Sequence, residues 1–160
     1  SVLSRGLGDV YKRQKYNGAQ ITKDMARRWK EQFSFVSTAA PDEPVLVDFS
    51  IEGKAMTLDI TDCMQAACES IVDPIVENVK KLIAGSNPEY HDEFRKNMVL
   101  AGGGSSIKGL GALIERRLSD MGDVNVHVVD DPVRLGAMGG LRLAMEVPED
   151  MWKNLTLASR

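Results

Sequence analysis

Met98-Val99-Leu100-Ala101 is a short apolar run that gives way at once to Gly102-Gly103-Gly104 and Ser105-Ser106. Leu110, Leu113, Ile114 and Leu118 then recur at helical spacing. A buried strand, a glycine turn and a helix N-terminus in immediate succession restrict the fold more than any other stretch of the chain. Three consecutive residues without Cβ permit positive φ and let bare main chain approach a flat ring or a phosphate. The first N–H groups of the following helix have no intrahelical partner and point at whatever polar group sits there. A glycine-rich left-handed turn that merely joins strand to helix has the same composition, so the loop alone does not decide between the two.

The downstream elements extend the pattern. Asn125 to Val129 alternates as a strand, Asp130-Asp131-Pro132 forms a turn, and Val133 to Glu146 reads as a helix that carries Gly136, Gly139 and Gly140. Each helix-interior glycine costs about 1 kcal/mol relative to alanine. Close packing against another backbone or a ligand would offset that cost, and a hinge would exploit it. Strand–helix–strand–helix predicts a right-handed crossover between parallel strands, and hence an α/β fold.

Upstream, Thr22 is placed to cap a helix in which Met25, Ala26, Trp29 and Phe33 share a face up to about Phe35. Val45 to Ile51 and Met56 to Ile60 alternate around Glu52-Gly53-Lys54, which predicts a β-hairpin. Thr61 or Asp62 then caps a helix burying Met64, Ala67 and Cys68. Pro74 interrupts the helical series Ile71 to Ile83, so a break is expected near Ser70 to Asp73. Gly85 ends that helix, and Asn87-Pro88 opens a short one. The first 14 residues, Ser1 to Gln14, show no period and resemble a translated sequencing-adaptor string. They are expected to be non-native, with the chain starting inside a longer protein.

Charge and cysteine content exclude several classes. The net charge of −3 and the lack of a basic stripe argue against nucleic acid as partner. No apolar run approaches the ~18–20 residues of a membrane span, and no secretory core lies near Ser1. Cys63 and Cys68 lack metal-ligand spacing and read as reduced core thiols, which implies a cytoplasmic protein. His91 and His127 form no motif, and no metal site is expected.

The run NMVLAGGGSSIKGLGALIERRL, followed by VHVVDDPVRLGAMGGLRLA, resembles the adenosine-binding segment and closing hinge helix of bacterial actin-like ATPases. Upstream, ITKDMARRWKEQFSFV resembles the actin helix that reaches over the nucleotide, with Lys30-Glu31 at the position of a Lys-Glu pair. The hairpin PVLVDFSIEGKAMTLDITD, the stretch NPEYHDEFRKN and the terminal VPEDMWKNL place the resemblance nearer to the magnetosome branch than to the cell-shape branch. The resemblance covers Lys15 to about Leu155.

It implies the actin-like ATPase (ribonuclease H-like) fold, of which this is the C-terminal part of the second lobe. Residues 15–70 would form part of the small outer subdomain, and 71–160 the inner core with the hinge helix and tail. Gly102, Gly103, Gly104 and Ser105 would lie under the adenosine and α-phosphate of ATP or ADP. Ile107 would pack against the adenine, the Lys30 stem would cover its other face, and Glu31 would accept hydrogen bonds from the ribose. The implied partners are further copies of the chain in a filament and magnetosome-associated proteins. No Asp-x-Gly-Thr phosphate loop occurs in the sequence, so the catalytic and Mg²⁺-binding residues are expected upstream, and this stretch is expected not to hydrolyse ATP alone. Another actin, of the cell-shape, segregation or chaperone type, or a sugar or acetate kinase would carry a similar loop.

Overall fold

The computed structural model describes residues 21–51, 53–148 and 151–152. The segment 1–14 read as foreign, Glu52 of the hairpin turn and most of the terminal VPEDMWKNL lie outside the described residues. Helix α1 (Lys23–Phe33) starts where the Thr22 hydroxyl accepts from the Met25 N–H at 3.2 Å, as its sequence predicts. It buries Ala26 and Trp29. The helix stops two residues short of the expected Phe35, because Ser34 to Val36 is extended and bonds elsewhere. Phe35 forms a parallel bridge with Lys108, with Val36 N–H donating to Lys108 C=O at 3.1 Å and Lys108 N–H donating to Ser34 C=O at 3.2 Å.

Strands β1 (Leu46–Ile51) and β2 (Lys54–Asp59) form the antiparallel hairpin, in register from Leu46 opposite Asp59 to Ile51 opposite Lys54. Gly53 takes φ +78° at its tip, a conformation that favours glycine. Val47, Phe49 and Leu58 point inward, while the outward pair Asp48 and Thr57 share a 2.7 Å hydrogen bond. Helix α2 (Thr61–Glu69) is opened by a residue other than those expected. The Asp59 carboxylate accepts from both the Thr61 N–H (2.9 Å) and the Thr61 hydroxyl (2.6 Å). Helix α3 (Val72–Ala84) then begins, with Pro74 in its first turn, where no intrahelical bond is lost.

Helix α4 (His91–Lys96) leads into β3 (Met98–Leu100), and α5 (Leu110–Arg117) crosses over to the parallel strand β4 (Val126–Val128), with Met98 opposite Val126. Glu115 of α5 accepts the Val126 N–H at 2.7 Å, covering the strand edge turned away from β3. One hydrophobic cluster holds these parts together. It runs from Trp29, Phe35 and Val36 through Leu58, Ile60, Met64, Cys68 and Val72 to Ile107, Leu113, Ile114 and Leu118, joining residues from both sides of Ser70. Helix α6 (Leu135–Glu146) has no buried residue. Its Leu141 is 62 % and its Met145 80 % exposed.

Candidate functional site

The glycine turn after β3 is shaped from within. Gly102 takes φ +86°, and its N–H donates to Pro132 C=O at 2.8 Å, which ties this turn to the one that follows β4. Ser105 folds back so that its N–H (3.0 Å) and its hydroxyl (2.8 Å) both donate to Gly102 C=O. Buried and committed in this way, Ser105 builds the turn. Gly103 and Gly104 differ from both. Neither has a positive φ, and a Cβ added to either would meet nothing within 4 Å. Among the described residues, neither backbone geometry nor packing therefore requires glycine at these two positions, and their main chain faces open space.

Ile107 is 4 % exposed and packed in the central cluster. With Ser106, Lys108, Gly111, Val128 and Pro132 it also helps line a cleft of ≈ 630 Å³ between the start of α5 and the end of β4. Topologically this is where the C-terminal ends of two parallel strands open, the usual position for a ligand crevice in an α/β sheet.

Lys30 and Glu31 lie in the second half of α1, Lys30 half-buried and Glu31 exposed. Glu31 Oε1 accepts from Arg27 Nε at 2.8 Å. That hydrogen bond, with the guanidinium charge behind it, holds the Glu31 carboxyl below its ordinary value and keeps it anionic. An exposed pair one helical turn apart exchanges partners at little cost. The structure links this helix to the glycine turn through backbone. Ser34 N–H donates to Lys30 C=O at 3.1 Å, Ser34 C=O accepts from Lys108, and Ile107 N–H donates to Gly104 C=O at 3.3 Å. Gly102 to Ile107 thus form one contiguous structure, and Lys30 and Glu31 reach it through the bridge at Lys108.

Sequence reasoning missed Gly109, Thr38 and Pro132 as parts of this structure. Gly109 takes φ +79° and stands just outside α5. Among the described residues, no three His, Cys, Asp or Glu side chains gather to hold a metal ion, and no helix is long and apolar enough to cross a membrane.

The family model described as MreB/Mbl protein matches residues 10–151, beginning inside the segment 1–14. The chain belongs to the MreB/Mbl family. Family membership accounts for the order of glycine turn, crossover helix and final glycine-bearing helix, and it sets aside the kinase alternative. Among curated proteins, the chain is 40% identical over 136 residues to the actin-like protein MamK of Paramagnetospirillum magneticum, covering 85% of this chain and 39% of that one. The MamK double helical filament superposes with a TM-score of 0.84 at 37% identity, over 92% of this chain and 44% of that one. A non-polymerising MamK mutant bound to AMPPNP superposes with a TM-score of 0.80 at 37% identity, over 91% of this chain and 44% of that one. The chain therefore has the actin-like α/β fold, and it spans about two-fifths of the length of the MamK relatives it matches.

Proposed function

We propose that the polypeptide carrying this chain is an ATP-binding, filament-forming actin of the MamK type, and that this chain supplies the adenosine side of its nucleotide cleft. The observation that carries the reading is the open main chain at Gly103 and Gly104, two glycines with no internal reason to be glycine. A purine nucleoside lying flat on that surface would provide one. Similarity to a MamK structure holding AMPPNP supports the choice of ligand.

In this reading Gly102 sets the bend and Ser105 holds it. Gly103 and Gly104 leave room for the adenosine and α-phosphate, the Lys30 stem covers the base, and Glu31 turns from Arg27 to the ribose hydroxyls. Ile107 supports the floor. Mg²⁺ bound with ATP would offset phosphate charge, through residues outside this chain. Residues 15–70 would act as the outer subdomain and 71–160 as the inner one with the hinge helix α6. ATP favouring a closed arrangement of the lobes would shift a two-state equilibrium towards filament contacts. Such filaments would lie in the cytoplasm and align magnetosomes through associated proteins.

Sedimentation of the full-length polypeptide tests the reading. Pelleting with ATP and Mg²⁺ that is lost when ADP replaces ATP is the expected result. A protein that stays in the supernatant under every nucleotide condition, yet binds ATP, would refute filament formation and leave nucleotide binding standing.

A further inference from the structure

We propose that Gly109 is a positioning residue that locks the glycine turn to helix α1, so that the two halves of the nucleoside site form one rigid unit. The inference rests on the adenosine reading above and adds a residue that the family resemblance did not single out. A Cβ at Gly109 would stand 2.5 Å from Thr38 Oγ1, 2.8 Å from Ala39 Cβ and 3.0 Å from Ala39 N. Its φ of +79° is strained for any residue with a side chain. Gly109 C=O also accepts the Thr38 hydroxyl at 2.7 Å, while its own α5 uses the same carbonyl for the Leu113 N–H at 3.0 Å. The neighbouring residue, Lys108, pairs on both sides with Ser34 and Val36.

The 34–39 segment therefore meets two successive residues of the loop, Lys108 through main-chain hydrogen bonds and Gly109 through the Thr38 hydroxyl, and at Gly109 there is no room for a Cβ. Ser34 continues by hydrogen bond into Lys30, and Ile107 continues by hydrogen bond into Gly104. Anything that pushes Gly109 away from Thr38 moves Lys30 and Glu31 relative to Gly103 and Gly104. Holding groups on two elements in one fixed geometry reduces the ordering that binding would otherwise require. The clamp thus acts on the nucleoside and leaves the phosphates to other parts of the protein.

The test compares ATP, adenosine and inorganic tripolyphosphate as ligands of the full-length polypeptide by calorimetric titration, with Gly109→Ala, Thr38→Val and Gly103→Val variants. Gly109→Ala is expected to weaken ATP and adenosine by the same factor, about tenfold, with tripolyphosphate unchanged. Thr38→Val removes the hydroxyl and sets a methyl group against the Gly109 carbonyl, and it carries the same pattern at about threefold. It decides the matter should Gly109→Ala fail to fold. Equal loss for all three ligands would mean a general lesion in folding, and unchanged adenosine affinity in both variants would mean no positioning role; either overturns the proposal. Gly103→Val separates the underlying reading. If it leaves ATP affinity unaltered, the adenosine assignment itself fails. If it weakens ATP while the other two variants bind normally, only the clamp fails.

Discussion

Replacing Gly103 with alanine should make the protein slightly more stable and a poorer binder of ATP. The conformation at Gly103 is open to any L-residue, and the new methyl group meets nothing within 4 Å. Alanine there mainly reduces the freedom of the unfolded chain, which stabilises by about 0.4–1 kcal/mol. For a domain of this size that raises the thermal midpoint by about 1–4 °C. The same methyl stands on the surface assigned to the nucleoside. Forcing an extra carbon into a filled contact costs about 1–3 kcal/mol, equivalent to roughly 5- to 150-fold in Kd. Calorimetric unfolding without nucleotide and titration with ATP measure the two effects on one preparation. Opposite signs are the signature of a glycine kept for a ligand. A raised midpoint with ATP affinity unchanged would show that the open space over Gly103 is not where the base lies, and a lowered midpoint would show that the turn is more crowded than the geometry here.

Leu113 is fully buried at the centre of the core, so Leu113→Ala should cost about 2–5 kcal/mol, read as a drop in the urea midpoint. Glu69 accepts hydrogen bonds from the Ser37 hydroxyl and N–H (2.9 Å to the latter), and these hold its carboxyl below the ordinary value. A depressed folded value adds stability above the unfolded carboxyl range, about pH 4.3, and that stability is lost as pH falls through the folded value. Glu69→Gln should therefore lower the unfolding free energy from urea titration at pH 7 by no more than about 1 kcal/mol, because the group is largely solvated, and the difference from wild type should vanish in acid. Helix α6 buries none of its residues, so Leu141→Glu with Met145→Lys should change the unfolding free energy of the chain by under about 0.5 kcal/mol while reducing its self-association in light scattering. A large fall in stability would mean that α6 packs on the domain after all.

Local chemistry made much of the fold legible. The Thr22 cap, the turn at Gly53, the break before Pro74 and the parallel pair around α5 all follow from residue type and spacing. The departures have a common cause. Helix α1 ends at Phe33 because Ser34 to Val36 bonds to Lys108, more than seventy positions away, and no local signal encodes that partner. Asp59 displaces the expected caps Thr61 and Asp62 because the hairpin delivers its carboxylate to the helix start. The burial of Ile107 in the cluster with Leu110 and Leu113 likewise depends on distant packing that its own neighbours in sequence do not encode.

Glycines carry the deeper distinction, because one residue type serves two purposes that the sequence cannot separate. Gly109 is required by a positive φ and by Thr38, while at Gly111 an added Cβ would sit 3.2 Å from Val128 Cγ2, which would have to give by a few tenths of an ångström. Packing within the fold bears on both. Gly103 and Gly104 in the turn, and Gly136, Gly139 and Gly140 in α6, have neither reason among the described residues, since a Cβ at any of them meets nothing within 4 Å. In α6 the three positions together forgo about 3 kcal/mol of helix propensity, on a helix whose Leu135, Met138 and Leu141 are also uncovered. Small residues and large apolar ones on the same exposed helix fit close packing against a surface beyond the described residues. Bare main chain in a turn between two strand ends fits a flat ligand. In the proposed reading the second group of glycines serves the ligand and the surfaces this part of the molecule meets, and each can be tested by the same criterion: an alanine that the isolated fold tolerates and the complete assembly does not.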